Sequence, residues 1–166
     1  MTTTPRLTLS PALRRAVLTL HITASVGLLG TTAALVAINV RAATTTDPQL
    51  SASAYELLTM FATLFGIPLS MTSLLTGLLL GLSSKWGVLR YGWVTAKLAL
   101  NLSVILVGAF LLGPATAAMA DGTADNEALL IAGGGYDVVA LSLATGLSVF
   151  KPRRRLGRRA RLARVQ

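Results

Sequence analysis

Four long apolar runs separated by short polar stretches make up most of this chain. They cover about 16–40, 54–82, 92–112 and 128–150. Each reaches or exceeds the roughly 20 residues a helix needs to cross the hydrocarbon of a bilayer. The pattern predicts an all-α integral membrane four-helix bundle over 16–150. A short N-terminal segment, 1–15, precedes it, and a basic tail, 151–166, follows it.

The polar stretches carry the signals for starts and stops. Ser10-Pro11 reads as a helix start, with the serine capping and proline in the first turn. The stretch from Arg41 to Ser53 reads as a connection, with a turn at Asp47-Pro48. Pro68 lies inside the second run and is expected to kink it, with Thr63 and Thr72 available to the freed carbonyl. Gly77 and Gly81 offer a small face for helix approach. Lys85 and Arg90 sit in a polar turn flanked by Trp86, Tyr91 and Trp93, a membrane-interface composition. Gly113-Pro114 is expected to stop the third run. The acidic stretch after it, 113–126, supplies Asp125 as a cap and Glu127 for the first turn of the fourth run. The basic start of the first run resembles a secretion signal, but some 25 apolar residues exceed the about 7–15 of such signals. An uncleaved span is expected.

Composition supports lipid as the solvent. Only 13% of the 166 residues are charged, against about 25% in soluble domains. A chain this short cannot hide so much apolar surface in one water-soluble core. The net charge of +9 does not change this, because eight of the fifteen basic residues lie in the tail. That placement indicates anionic lipid headgroups as the partner, and no nucleic acid. With no cysteine, disulfides, thiolate metal sites and thiol catalysis are excluded.

Charge also predicts orientation. Arg14 and Arg15 precede the first span, Lys85 and Arg90 lie between the second and third, and Lys151, Arg153, Arg154, Arg155, Arg158 and Arg159 follow the fourth. The other two connections hold Arg41 against Asp47, Asp121 and Asp125. The positive-inside rule then puts both termini and the central turn in the cytoplasm, with the bundle in the cytoplasmic membrane.

Polar residues inside lipid are costly, so each needs a reason. Asp137, in the fourth span just after Gly133-Gly134-Gly135, is the foremost candidate. At that depth it is expected to bond Arg41 or side chains such as Thr31, Thr32 and Asn39, or to hold a proton. A late helix start after the three glycines would instead leave it near the headgroups. His21 is the single histidine; a bond to a backbone carbonyl or a headgroup phosphate is the expectation, and bis-histidine haem within one chain is excluded. Lys97 is expected to snorkel to the interface, and Asn101, one turn deeper on the same face, to bond neighbouring helices. Glu56 and Arg41 could pair across the first hairpin. No HExxH, GxSxG, phosphate loop or paired carboxylates occur. The chain is therefore expected to be non-enzymatic and without a cofactor. It would act as a structural or accessory membrane subunit, with a membrane partner or as a homo-oligomer. The alternative is a small oligomeric transporter using Asp137, and a redox subunit ranks third.

The segments TGLLLGLSSKWGVLRYGWVTAKLALNL and LSVFKPRRR resemble a family of small bacterial integral membrane proteins of unknown function, frequent in actinomycetes. The shared positions are Thr76, Gly77, Leu78, Trp86, Trp93, Val94, Lys97, Leu98, Lys151 and Pro152. The resemblance implies four membrane helices and no established activity. The region of His21 also distantly resembles the first span of copper-resistance and cytochrome-b-like membrane proteins, whose further histidines are absent here.

Overall fold

The computed structural model describes residues 9–83, 91–123 and 125–150. Four helices in it are long and apolar enough to cross a membrane: α1 (Pro11–Thr44), α2 (Pro48–Leu82), α3 (Gly92–Ala120) and α4 (Glu127–Phe150). Lys85, Arg90, Trp86, Lys151, Pro152 and the tail arginines lie outside the described residues.

The helix starts follow local chemistry. The Ser10 hydroxyl accepts from the Leu13 N–H at 3.3 Å, with Pro11 in the first turn. Asp47 does more than turn the chain. Its Oδ1 accepts from the N–H groups of Gln49 and Leu50, at 2.9 and 3.3 Å, so Asp47-Pro48 is the start of α2. Much of the expected polar connection over 41–53 is therefore helical, leaving only 45–47 between α1 and α2. Alanine, serine and threonine there are small enough to stay in a helix once a cap supplies the missing acceptors. The residue directly before α4 is Asn126, whose carbonyl accepts from the Leu130 N–H, so Asp125 lies one position short of the cap.

Both internal prolines sit just after a π-turn. In α2 the turn covers Ala62–Gly66, and the Ile67 N–H reaches the Ala62 carbonyl. In α3 it covers Gly108–Leu112, and the Gly113 N–H reaches the Gly108 carbonyl. One residue separates each widened turn from a residue with no N–H to give, Pro68 or Pro114. Gly113-Pro114 thus does not end α3, which continues to Ala120. The Thr63 hydroxyl donates to the Thr59 carbonyl at 2.8 Å, one turn back, and not to a carbonyl next to Pro68.

The helices pack as a ring. α1 lies against α2 and α4, and α3 completes the circuit between α2 and α4. One cluster, with Ala42, Tyr55, Leu58, Ala115 and Leu130, closes the end near the short connections. A second, with Leu28, Val104, Ala140 and Leu141, lies deeper. The three consecutive glycines are inside α4, so the late helix start is overturned. They mark where α4 meets two neighbours. A Cβ on Gly133 would sit 2.5 Å from Leu112 Cδ2 on α3, and one on Gly134 would sit 2.7 Å from Val36 Cγ2 on α1. Nothing lies near Gly135.

Candidate functional site

The polar residues of the helix interiors fall into two groups. The first links three helices near the face that holds the start of α1. The C-terminal half of α2 buries Ser70, Ser73 and Thr76, a three-residue repeat that keeps all three on one side of the helix. The Thr76 hydroxyl gives its hydrogen to the Thr72 carbonyl. Its lone pairs are then free to accept from His21 on α1, whose Nδ1 lies 3.0 Å away. The same Nδ1 lies 3.1 Å from the Ser73 carbonyl oxygen. A carbonyl can only accept, so Nδ1 carries the hydrogen and divides it between the two oxygens. In the neutral ring Nε2 then holds the lone pair. Gly77 makes room for the imidazole, because a Cβ there would be 2.9 Å from His21 Cε1.

Ser73 is the hub, only 2% exposed. Its hydroxyl pairs with that of Ser25 on α1 at 2.9 Å and accepts from Asn101 Nδ2 on α3 at 3.3 Å. His21, Ser25, Ser73, Thr76 and Asn101 thus form one network. Lys97 lies a turn from Asn101 and places its Nζ 6.0 Å from the Trp93 ring centroid, back toward the start of α3. Arg14 and Arg15 are exposed in the first turns of α1. Arg41 and Glu56 are both exposed and form no ion pair with each other.

The second group centres on Asp137. It lies mid-way along α4, on the buried stripe of Leu130, Gly134, Asp137, Ala140 and Leu141, and is 5% exposed. Two contacts fix what it faces. Gly134, one turn before it, abuts Val36 of α1. Ala140 and Leu141, one turn after it, share a cluster with Leu28. Asp137 therefore stands opposite Thr32, half-way between Leu28 and Val36 on α1. The Thr32 hydroxyl donates to the Leu28 carbonyl at 2.9 Å, and Asp137 Oδ1 has no hydrogen-bond partner among the described residues. Among the described residues, the expected bonds from Asp137 to Thr31, Thr32, Asn39 or Arg41 do not form. Thr32 has already given its hydrogen along its own helix. Asn39 and Arg41 lie about 10 Å or more further along α1, beyond reach. His21 and Asp137 are about 16 Å apart in axial level, so they are separate sites.

His21 and Asn101 stand out in the sequence, whereas the serine and threonine that hold them do not. The Ser70, Ser73, Thr76 repeat, with Gly77 next to Thr76, was the available signal. Tyr136 directly precedes Asp137 in the sequence. It is exposed, and its hydroxyl pairs with that of Ser103 on α3 at 2.7 Å. No group of three histidine, cysteine or acidic residues that could hold a metal occurs among the described residues.

A family model described as "Predicted integral membrane protein (DUF2269)" matches residues 15–150. No curated protein and no solved structure matches the chain.

Proposed function

We propose that this chain, which belongs to the predicted integral membrane protein family DUF2269, is a non-enzymatic accessory subunit of the cytoplasmic membrane. The supporting observation is how the polar network is used. His21, Ser25, Ser73, Thr76 and Asn101 bond one another and tie α1, α2 and α3 together. Side chains spent in this way hold helices in place, at about 0.6–2 kcal/mol per bond in a membrane. Outside them the helices present large apolar side chains, such as Val26, Leu75, Phe110 and Val139, to lipid or to a second membrane chain.

In this reading both termini lie in the cytoplasm, and the basic residues after Phe150 meet anionic headgroups. Reporter tags at both termini are expected in the cytoplasm, and tags at Pro48 and Asp121 outside it. A C-terminal tag on the far side would sink the orientation. Native mass measurement of the chain extracted with its lipids is expected to give a homo-oligomer or a stoichiometric complex. A lone monomer would count against the accessory role.

A second reading, a small oligomeric transporter, is favoured by one feature: the buried carboxyl of Asp137, mid-way through the bundle, whose Oδ1 has no hydrogen-bond partner among the described residues.

A further inference from the structure

We propose that the middle of the bundle binds one small monovalent cation between Asp137 of α4 and Thr32 of α1. This gives the transporter reading a ligand class and rests on the same carboxyl, but it does not require flux.

Asp137 Oδ1 is buried and has no hydrogen-bond partner among the described residues. Thr32, 9% exposed and opposite it, has its hydrogen committed to Leu28, so its oxygen presents only lone pairs. When Asp137 is ionised, its carboxylate and a hydroxyl so engaged are both acceptors, and two acceptors at one level require a cation or a proton between them. Buried polar groups left without partners are rare and costly, more so in lipid.

Among the described residues, no side chain supplies the positive charge. Arg41 is exposed, about 13 Å along α1 from the level of Thr32. Lys97 is near Trp93, well toward the other end of the bundle. The His21 ring hydrogen at Nδ1 is taken by Ser73 and Thr76. Among the described residues, Asp137 is the one carboxylate buried in the helix interiors. One negative charge matches a monovalent cation, since a divalent ion would leave net charge in a medium of low dielectric. Hard alkali cations take oxygen ligands, as this site offers.

Two further observations place the site on a track. Ser25, Thr32 and Asn39 are seven residues apart on α1, so they share a face. Buried side-chain oxygens without partners occur at each of their levels: Asn101 Oδ1 near Ser25, Asp137 Oδ1 opposite Thr32, and Asn39 Oδ1 itself. Successive levels are about 10 Å apart, and the three cover much of the roughly 30 Å hydrocarbon thickness. The π-turns of α2 and α3 also lie near the level of Asp137. The contact of Gly133 with Leu112 sets Asp137 beside Gly108, and the Ser25–Ser73 pair sets Thr32 beside Gly66. Widened turns often accompany functional sites, and irregular backbone in a membrane is a recurring feature of cation sites.

The test uses the full chain in nanodiscs of phosphatidylcholine and phosphatidylglycerol. Thermal unfolding is followed in lithium, sodium, potassium and N-methylglucamine chlorides at equal ionic strength, with equilibrium dialysis of radioactive sodium beside it. The expected result is saturable stabilisation by at least one alkali cation, with one ion per chain. Asp137→Asn should abolish it, and Thr32→Val should weaken binding at least tenfold. Should Asp137→Asn fail to fold, Thr32→Val decides. Equal unfolding in all four salts, a response to pH alone, or unchanged binding in the variants would overturn the site. In proteoliposomes, saturable binding without flux supports the site and removes the transporter reading. Flux unaffected by Asp137→Asn overturns the site while leaving that reading in place.

Discussion

Gly134→Ala is expected to destabilise the bundle by about 1–3 kcal/mol, the usual range for overpacking a close contact. The new methyl would meet Val36 Cγ2 at 2.7 Å. Valine has one strongly preferred side-chain rotamer in a helix, so the contact cannot be relieved by a simple rotation. α4 must move away from α1, at the level that also sets Asp137 against Thr32. The neighbouring glycine is the control. Nothing lies near a Cβ on Gly135, so Gly135→Ala should be neutral or stabilise by up to about 1 kcal/mol through helix propensity. Gly133→Ala should be milder than Gly134→Ala, because the atom it meets is the end of the flexible Leu112 side chain. Val36→Ala in the Gly134→Ala background should restore most of the loss. Unfolding of the purified variants in one detergent reads all four. An equal response at positions 134 and 135 would remove the packing argument.

His21 and Gly77 are expected to be strongly coupled. His21→Leu removes the hydrogen that Ser73 and Thr76 share. Its cost should be about 1–3 kcal/mol, given the worth of such bonds between membrane helices. Gly77→Ala leaves the bonding groups intact but puts a methyl 2.9 Å from the ring. The imidazole is anchored at Nδ1 and cannot swing away without losing both acceptors, so a loss of about 1–3 kcal/mol is expected here too. His21→Ala empties the space that the new methyl needs. The double variant His21→Ala, Gly77→Ala should therefore be less destabilised than the sum of its singles by about 0.5–3 kcal/mol. Additive losses would mean that the ring does not occupy the space beside Gly77.

The four helices were legible because lipid demands length and apolarity, and both are written along the chain without reference to tertiary contacts. The ends were less so. Gly113-Pro114 reads as a stop in water, yet a π-turn before the proline lets α3 run on. The stretch 41–53 reads as a loop from its threonines and serines, although α1 runs on to Thr44 and a capping aspartate, Asp47, starts the next helix at Pro48. His21 and Asp137 stood out as polar residues in apolar runs. Their surroundings did not, because they depend on which residues of other helices come to the same level. Ser73 looks like any small residue of a membrane helix until His21, Ser25 and Asn101 converge on it. The opposition of Asp137 and Thr32 follows from Gly134 and Val36, a contact between residues nearly a hundred positions apart.

The π-turns also bear on how the length of this chain can vary. Each holds one residue more than an α-helix covering the same distance would need. Removing a residue from an ordinary helical stretch turns everything beyond it by about 100°, carrying the inward face out to lipid. A one-residue deletion within Ala62–Gly66 or Gly108–Leu112 converts a wide turn to a normal one and keeps the far segment in phase. These two stretches are thus where the α2 and α3 spans can lose a residue without rotating the rest. A variant lacking one residue of 62–66 should fold and keep the His21 network, whereas a deletion at Leu74, inside the regular part of α2, should not. Equal tolerance at both places would show that the phase of α2 is not what holds the bundle together.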